Sequence, residues 1–119
     1  MRRLVAYDGS PSARRALAHA SGLHRSGDAI GLIHVVEQLS SGNGQLDEAR
    51  AALAARGIEA ASMEVVGNPA HEICIAAERR EYDTIVVGRR NVLDTGLVLL
   101  GSVSGRVVAG APCNVVVVA

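Results

Sequence analysis

The chain has 119 residues, 49% of them hydrophobic, and its twelve basic and twelve acidic residues cancel at pH 7. This length predicts one domain over residues 1–119 with a single hydrophobic core. Neutral charge and only two Phe, Trp or Tyr residues, both tyrosines, argue against nucleic-acid binding, which needs a basic surface and stacking side chains. Every basic residue is Arg, and the lack of Lys excludes both a P-loop and Schiff-base chemistry.

Three features of the sequence favour the cytoplasm and no membrane partner. No apolar run approaches the ~20 residues that a membrane-spanning helix needs. The segment Met1-Arg2-Arg3 leads directly into a strand-like run, unlike a signal peptide. Cys74 and Cys113 lie far apart and form no C-x-x-C motif, so we expect two free thiols in a reducing compartment.

Apolar runs alternate with helical periodicities along the chain. The predicted strands are Leu4–Tyr7, Ile30–Val36, a part of Ile58–Val66, Thr84–Val87 and Val115–Val118. The predicted helices cover residues 13–23, 46–53, the segment from Pro69 onward, and about 102–109. Because the strands are mostly unbroken apolar runs, the pattern predicts an α/β fold with a parallel sheet covered by helices on both faces.

In such a sheet a ligand binds beyond the carboxyl ends of the strands, where the strand order reverses. Asp8 follows the first predicted strand, residues 35–37 end the second, and Gly88 ends the fourth. The carboxyl ends of parallel strands meet at one edge of a sheet, so we expect these three segments to converge.

The strongest indication of a ligand lies in the C-terminal third. A buried strand runs into Gly88-Arg89-Arg90-Asn91, and Gly101-Ser102-Val103-Ser104 opens a helix with the Ser102 hydroxyl expected at the N-cap. Glycine lets a backbone approach closely, and the first amides of a helix face negative charge. The pattern predicts a site for a phosphate-bearing ligand.

These segments together resemble the universal stress protein family over nearly the whole chain. The residues that carry the resemblance are Val5–Ser10, His34–Val36, Gly67–Ala70, Asp83–Gly88, Gly101–Ser104 and Ala111–Cys113. The resemblance implies a three-layer α/β/α fold whose five-stranded parallel sheet has the order 3-2-1-4-5, as in adenine nucleotide alpha hydrolase-like proteins. It also implies a homodimer paired through the last strand, Val115–Val118, because an apolar strand at a sheet edge needs covering.

The family contains members that bind ATP and members that do not, and the binding members carry the pattern G-x2-G-x9-G-[ST]. Gly88, Gly101 and Ser102 match this pattern, and Asn91 stands where the second glycine belongs. Asn is the non-glycine residue that adopts a left-handed backbone at least cost.

From this resemblance we expect ATP or AMP as the ligand, with magnesium held by the phosphates and water. The implied binding residues are Ala6, Tyr7, Asp8, Val35, Gly88, Arg90, Asn91, Gly101, Ser102, Val103 and Ser104. In that arrangement the Asp8 carboxylate faces the ribose or adenine, the Val35 backbone meets the adenine edge, and residues 101–104 cradle the phosphates. The chain is shorter than many members after Glu37, which would leave the adenine side more open.

The same residues can also be interpreted as purely structural, without a ligand. Asp8 also suits the turn into the first helix, and Gly101-Ser102 also suits a plain helix start. Arg89 and Arg90 also suit solvated surface positions. No protein metal ligand is expected.

The sequence also lacks a nucleophile elbow and a positioned base, so we expect no catalysis beyond slow ATP hydrolysis. We therefore predict a stress-response module that binds an adenine nucleotide and acts by signalling. The alternative is a dimeric protein-interaction module of the same fold that binds no nucleotide, which Asn91 and the short segment after Glu37 favour. A relation to electron-transfer flavoproteins would need further domains.

Overall fold

The computed structural model describes residues 1–36, 38, 44–89, 91–92, 98–99 and 102–119, without the side chains of residues 91, 92, 98, 99 and 102. Strands β1 to β7 cover Arg2–Ala6, Ala29–Val36, Ala60–Val66, Thr84–Gly88, Asn91–Val92, Val98–Leu99 and Asn114–Val118. Helices α1 to α4 cover Pro11–Leu23, Gly44–Ala54, Pro69–Arg79 and Ser102–Gly110. No helix in these ranges combines the length and the apolar character that crossing a bilayer requires.

Five strands form one parallel sheet in the order β3-β2-β1-β4-β7. Numbered among themselves these strands have the order 3-2-1-4-5, which confirms the predicted fold. In the middle of the sheet Val5 lies between Leu32 of β2 and Val86 of β4. The chain therefore moves outward from β1 to β3 on one side and restarts at β4 on the other. The strand order reverses between β1 and β4.

A short antiparallel pair, β5 with β6, forms a separate two-stranded sheet. The sequence analysis predicted no strand between Gly88 and Gly101, so this strand pair was missed. Two-residue strands are too short to produce the alternating pattern by which a strand is recognised.

Each face of the sheet has its own hydrophobic core. Neighbouring residues of β1 point to opposite faces, so Val5 packs under α1 and α2 whereas Leu4 packs under α3 and α4. Helix α1 lies close to the sheet because its inward side chains are small, with Ala16 and Ala20 completely buried. An interior built from Ala, Val, Leu and Ile thus supports thin, closely spaced layers.

The closest approach of a helix to the sheet occurs where α1 passes the end of β4. A Cβ atom on Gly88 would collide with the main-chain carbonyl of Ser12 and would lie 2.8 Å from the Ser12 Cβ. Ser12 is itself buried, with 5% of its surface exposed. Gly88 is therefore needed for packing between helix and strand, whatever ligand this end of the sheet binds.

At the opposite, amino-terminal edge of the sheet, Asp28 joins two cations. Its Oδ1 accepts a hydrogen bond from the Met1 ammonium and its Oδ2 accepts one from Arg3 Nη1, each at 3.0 Å. Arg3 is only 8% exposed. The Met1 ammonium, followed by Arg3 and the Arg25 amide, lowers the pKa of Asp28 well below its usual range.

Replacing Asp28 by Asn should make stability less dependent on pH in the acid range. A carboxylate whose pKa is lower in the folded than in the unfolded state stabilises the fold above its unfolded pKa, about 3.8. That stabilisation is lost as the pH falls towards the folded value. Urea denaturation should therefore show Asp28→Asn to be less stable than wild type at pH 7, with a gap that narrows below pH 3.8. Asp47→Asn, an exposed carboxylate on α2, is the control, and a gap that does not vary with pH would contradict the prediction.

Replacing Gly88 by Ala should destabilise the protein by about 1–3 kcal/mol, the usual cost of inserting a methyl group into a filled space. The matched control is Gly22→Ala in α1, where a Cβ meets nothing within 4 Å. That change should be neutral or stabilise the helix by up to about 1 kcal/mol. Chemical denaturation of both variants provides the measurement. Equal stability of Gly88→Ala and wild type would show that the contact with Ser12 relaxes without cost.

Candidate functional site

A cavity of about 350 Å³ lies at the carboxyl edge of the sheet, where β1, β2 and β4 end; we call it the carboxyl-edge cavity. Its wall consists of Ala6, Tyr7, Asp8, Ser10, Ser12, Ala13, Ile33, His34, Val35, Pro69, Ile73, Val87, Gly88, Val103 and Ser104. The cavity includes the point between β1 and β4 at which the strand order reverses, the position where α/β sheets of this kind bind ligands.

Three helices begin at this cavity. Helix α1 starts beside it with Ser10 as the N-cap, whose Oγ accepts a hydrogen bond from the Ala13 amide at 3.2 Å. Helix α3 starts with Pro69 in the cavity wall, and α4 contributes Val103 and Ser104 from its first turn. The amino-terminal end of a helix carries roughly half a positive charge. The three ends together make this edge of the sheet attractive to an anion.

Asp8 is held in the turn that leads from β1 into α1. The Ser10 amide donates a hydrogen bond to Asp8 Oδ1 at 3.0 Å, and Gly9 between them has a φ of 82°, in the left-handed region that favours glycine. The structural interpretation of Asp8 as a turn residue is thus correct. Asp8 also lies in the wall of the cavity, so the turn fixes the place of its carboxylate there.

Tyr7 is part of the wall, but its side chain belongs to the core. The residue is 2% exposed, and its hydroxyl donates a hydrogen bond to Glu48 Oε1 at 3.3 Å. Glu48 also forms an ion pair with Arg14 Nη2 at 3.0 Å. A ring that is buried and tied to α2 in this way offers no stacking surface to a ligand.

The structure brings seven of the predicted site residues into one wall: Ala6, Tyr7, Asp8, Val35, Gly88, Val103 and Ser104. Asn91 lies in β5 and Ser102 is the first residue of α4, and only their backbones are described. Arg90 and Gly101 lie outside the described residues. The side chain of Ser102 lies outside what the structure describes, so the Ser102 N-cap stays a prediction.

The sequence analysis missed several residues of the wall. Ser10 and Ser12 place two hydroxyl oxygens 3.2 Å apart at the start of α1, and His34 lines the wall on β2. Pro69 and Ile73 come from α3. A signal was present, because Ser-Pro at position 10 and Asn-Pro at position 68 are helix starts that follow strands, as Gly-Ser does at position 101.

The described residues contain no cluster of three or more His, Cys, Asp or Glu side chains that could hold a metal ion. Asp8 is the only Asp, Glu or Arg residue among those described in the wall. Both cysteines are free and half-buried. Burial raises the pKa of the Cys74 and Cys113 thiols, so both favour the protonated, unreactive form.

Comparison with known sequences identifies related proteins. The model of the universal stress protein family matches residues 42–119. The Bacillus subtilis universal stress protein YxiE is 30% identical over 142 aligned positions, which cover 97% of this chain and 96% of the relative. A Thermus aquaticus universal stress protein is 34% identical over 131 positions, with the same coverage. Both alignments exceed 119 positions, so each relative contains residues without a counterpart here.

Solved structures share the fold. A universal stress protein from Archaeoglobus fulgidus superposes with a TM-score of 0.86 at 24% identity, covering 100% of this chain and 98% of that one. A universal stress protein in complex with cAMP superposes with a TM-score of 0.81 at 23% identity, and the match covers 100% of this chain and 97% of that one. A family member from Arabidopsis thaliana with AMP bound superposes with a TM-score of 0.72 at 19% identity, and the match covers 99% of this chain and 90% of that one.

Two independent observations therefore agree. The sheet has the order 3-2-1-4-5 with its cavity at the point of reversal, and the family model together with two relatives covers most of the chain. This chain belongs to the universal stress protein family.

Proposed function

We propose that this protein binds an adenine nucleotide, ATP or AMP, in the carboxyl-edge cavity and acts in a stress response by binding and signalling. Structures of the same fold have been solved with cAMP and with AMP, which supports adenine nucleotides as the ligand class. A cavity of about 350 Å³ falls within the usual range for small-molecule sites.

One observation carries the proposal: the amino-terminal ends of α1, α3 and α4 meet at a single cavity. Three helix ends provide about +1.5 charges in total, against the single negative charge of Asp8. The positive contribution exceeds the negative one, so the site favours phosphate groups. Main-chain amides suit this task because the phosphate oxygens accept hydrogen bonds from them directly.

The nucleoside and the phosphates need different partners, and different parts of the cavity wall would supply them. On the β1 side, Asp8 offers a carboxylate that would accept hydrogen bonds from ribose hydroxyls or the adenine amino group. On the β2 side, the backbone of Val35 would meet the adenine edge. On the β4 side, the lack of a side chain at Gly88 lets α1 and the ligand share the space above the strand.

The phosphates would lie over the first turn of α4, which contributes Val103 and Ser104 to the wall. The family pattern assigns the rest of the phosphate cradle to Asn91, Gly101 and Ser102, with Arg90 as a source of positive charge. Magnesium would be held by phosphate oxygens and water, since the described residues supply no protein cage for it. We expect slow hydrolysis at most, because the one carboxylate in the described wall is engaged in the turn at Ser10.

We also propose that two copies pair through β7. This strand is at the edge of the sheet and consists mainly of half-buried valines. Asn114 N donates to Asp83 O at 3.2 Å and Arg89 N donates to Val118 O at 2.8 Å, so residues 114, 116 and 118 pair with β4. The amides of Val115 and Val117 therefore point to the open side, where carbonyl oxygens of a second copy would accept hydrogen bonds from them.

The free thiols at Cys74 and Cys113 support a place in the cytoplasm.

Asp8→Asn should weaken ATP binding about tenfold, as expected for the loss of a hydrogen bond to a charged group. Asn keeps an oxygen that accepts from the Ser10 amide, so the turn is retained. Calorimetric titration with ATP and with AMP measures the effect, and Asp47→Asn on the exposed face of α2 is the matched control.

Asn91→Gly, which restores the glycine of the family pattern, should strengthen ATP binding in the same titration.

Mass spectrometry of nucleotide released from the purified protein gives an independent result. Retention of ATP or AMP is expected. If no nucleotide is retained and millimolar ATP produces no heat, the protein is instead an interaction module that binds no nucleotide.

Val117→Pro should convert a dimer into a monomer. Proline removes the outward amide of Val117 while leaving the bonds between β7 and β4 intact, and an edge strand tolerates it. Val117→Ala removes side-chain volume but keeps the amide, and it should remain dimeric. Sedimentation analysis gives the mass, with circular dichroism to verify folding. A folded, dimeric Val117→Pro variant, or a monomeric wild type at all concentrations, would refute pairing through β7.

A further inference from the structure

A second cavity, of about 520 Å³, lies at the amino edge of the sheet, between the ends of α1 and α2. We call it the amino-edge cleft, and its polar residues are Ser21, His24, Arg25, Ser26 and Arg56. We propose that this cleft binds small phosphate-bearing anions, independently of the nucleotide site at the opposite edge.

The cleft has positive charge that the described protein does not neutralise. Arg25 and Arg56 both line it, and its wall contains no Asp or Glu. Within the described ranges Arg3 and Arg14 form ion pairs with carboxylates, whereas Arg25 and Arg56 form none. Asp28 is the nearest carboxylate in sequence, but its oxygens already accept from the Met1 ammonium, from Arg3 and from the Arg25 amide.

A simpler explanation is that these arginines only complement the carboxyl-terminal ends of α1 and α2. Each helix end carries about half a negative charge, so two ends offset about one of the two positive charges and leave about one. Several terminal carbonyls also have partners. Ser21 O accepts from the His24 amide at 3.3 Å, and Ala54 O accepts from the Gly57 amide at 2.9 Å. Compensation of the helix ends therefore accounts for only part of the charge.

Arg56 is held in place across the gap between the two helix ends. Its Nη1 donates to Ser21 Oγ at 2.6 Å, and Ser21 Oγ in turn donates to Ala18 O at 3.0 Å. A guanidinium has five N–H donors, so this bond fixes its position and leaves others for a ligand. Planar guanidinium groups match phosphate oxygens in pairs, which favours a phosphate over a point-charge partner.

His24 provides a second, independent indication. Its Nδ1 is buried and has no hydrogen-bond partner among the described residues. Buried polar atoms almost always have partners in native proteins, and an orphaned one commonly marks a position that a water or an ion completes. His24 lines the same cleft as the two arginines. Since the chain as a whole is neutral, a small anion is a better partner for this local charge than a nucleic acid.

The test is a titration of the full-length, isotope-labelled protein with inorganic phosphate, followed by amide chemical shifts at constant ionic strength. Saturable shifts at residues 21–26 and 56–58 are expected. A second titration with glycerol phosphate distinguishes free phosphate from a phosphomonoester as the ligand. If the ligand is a phosphomonoester, glycerol phosphate should bind more tightly than inorganic phosphate. Equal affinities of the two compounds would show that the site recognises the phosphate group alone.

Arg56→Gln should weaken phosphate binding at residues 21–26 about tenfold, the factor for one lost charge-assisted contact. Arg50→Gln on α2 is the matched control, because it removes the same charge from an exposed position outside the cleft. Both residues are exposed, so both variants should fold.

Shifts confined to the first turns of α1, α3 and α4 would overturn the cleft as a site, and would instead show phosphate in the carboxyl-edge cavity. Equal weakening by Arg56→Gln and Arg50→Gln would also overturn it, since only general charge would then matter. Weaker ATP binding in Asp8→Asn, with the phosphate-induced shifts at the cleft unchanged, would show that the two sites are independent.

Discussion

The site depends on one packing constraint: α1 must lie against the end of β4 with no side chain between them. The contact between Gly88 and the Ser12 backbone sets how closely the first turn of α1 approaches the reversal point of the sheet. Small inward residues such as Ala16 and Ala20 keep the remainder of α1 equally close. This proximity brings the helix end, the Asp8 turn and the start of α4 to one cavity, where their partial charges act together.

The parallel sheet gives the two edges of the molecule opposite characters. Helices begin at the carboxyl edge and present amides, whereas they end at the amino edge and present carbonyls. The chain places a carboxylate, Asp8, at the first edge and Arg25 and Arg56 at the second. Each charged side chain thus has the opposite sign to the helix ends beside it. Whether an anion binds at either edge depends on whether the positive or the negative charge there is larger.

Much of this could be predicted from the sequence. Mostly apolar runs such as Ile30–Val36, when they alternate with helical patterns, indicate buried parallel strands. The turn residues at Asp8 to Ser10 mark both a strand end and a helix start. The antiparallel pair of β5 and β6 has no such signal, since two-residue strands leave no periodicity. The hydrogen bond from the Tyr7 hydroxyl to Glu48 was also beyond prediction, because the two residues are distant in sequence. The single domain over residues 1–119 and the ligand roles of the site residues remain predictions.

The central claim is that main-chain amides at converging helix ends receive the phosphates of a nucleotide. The most direct measurement compares the amide chemical shifts caused by ATP with those caused by adenosine, residue by residue. If the claim is right, both ligands shift residues near Asp8 and Val35, and only ATP shifts the first turn of α4 at Val103 and Ser104. Identical shifts from ATP and adenosine, or no shift in that turn, would contradict it.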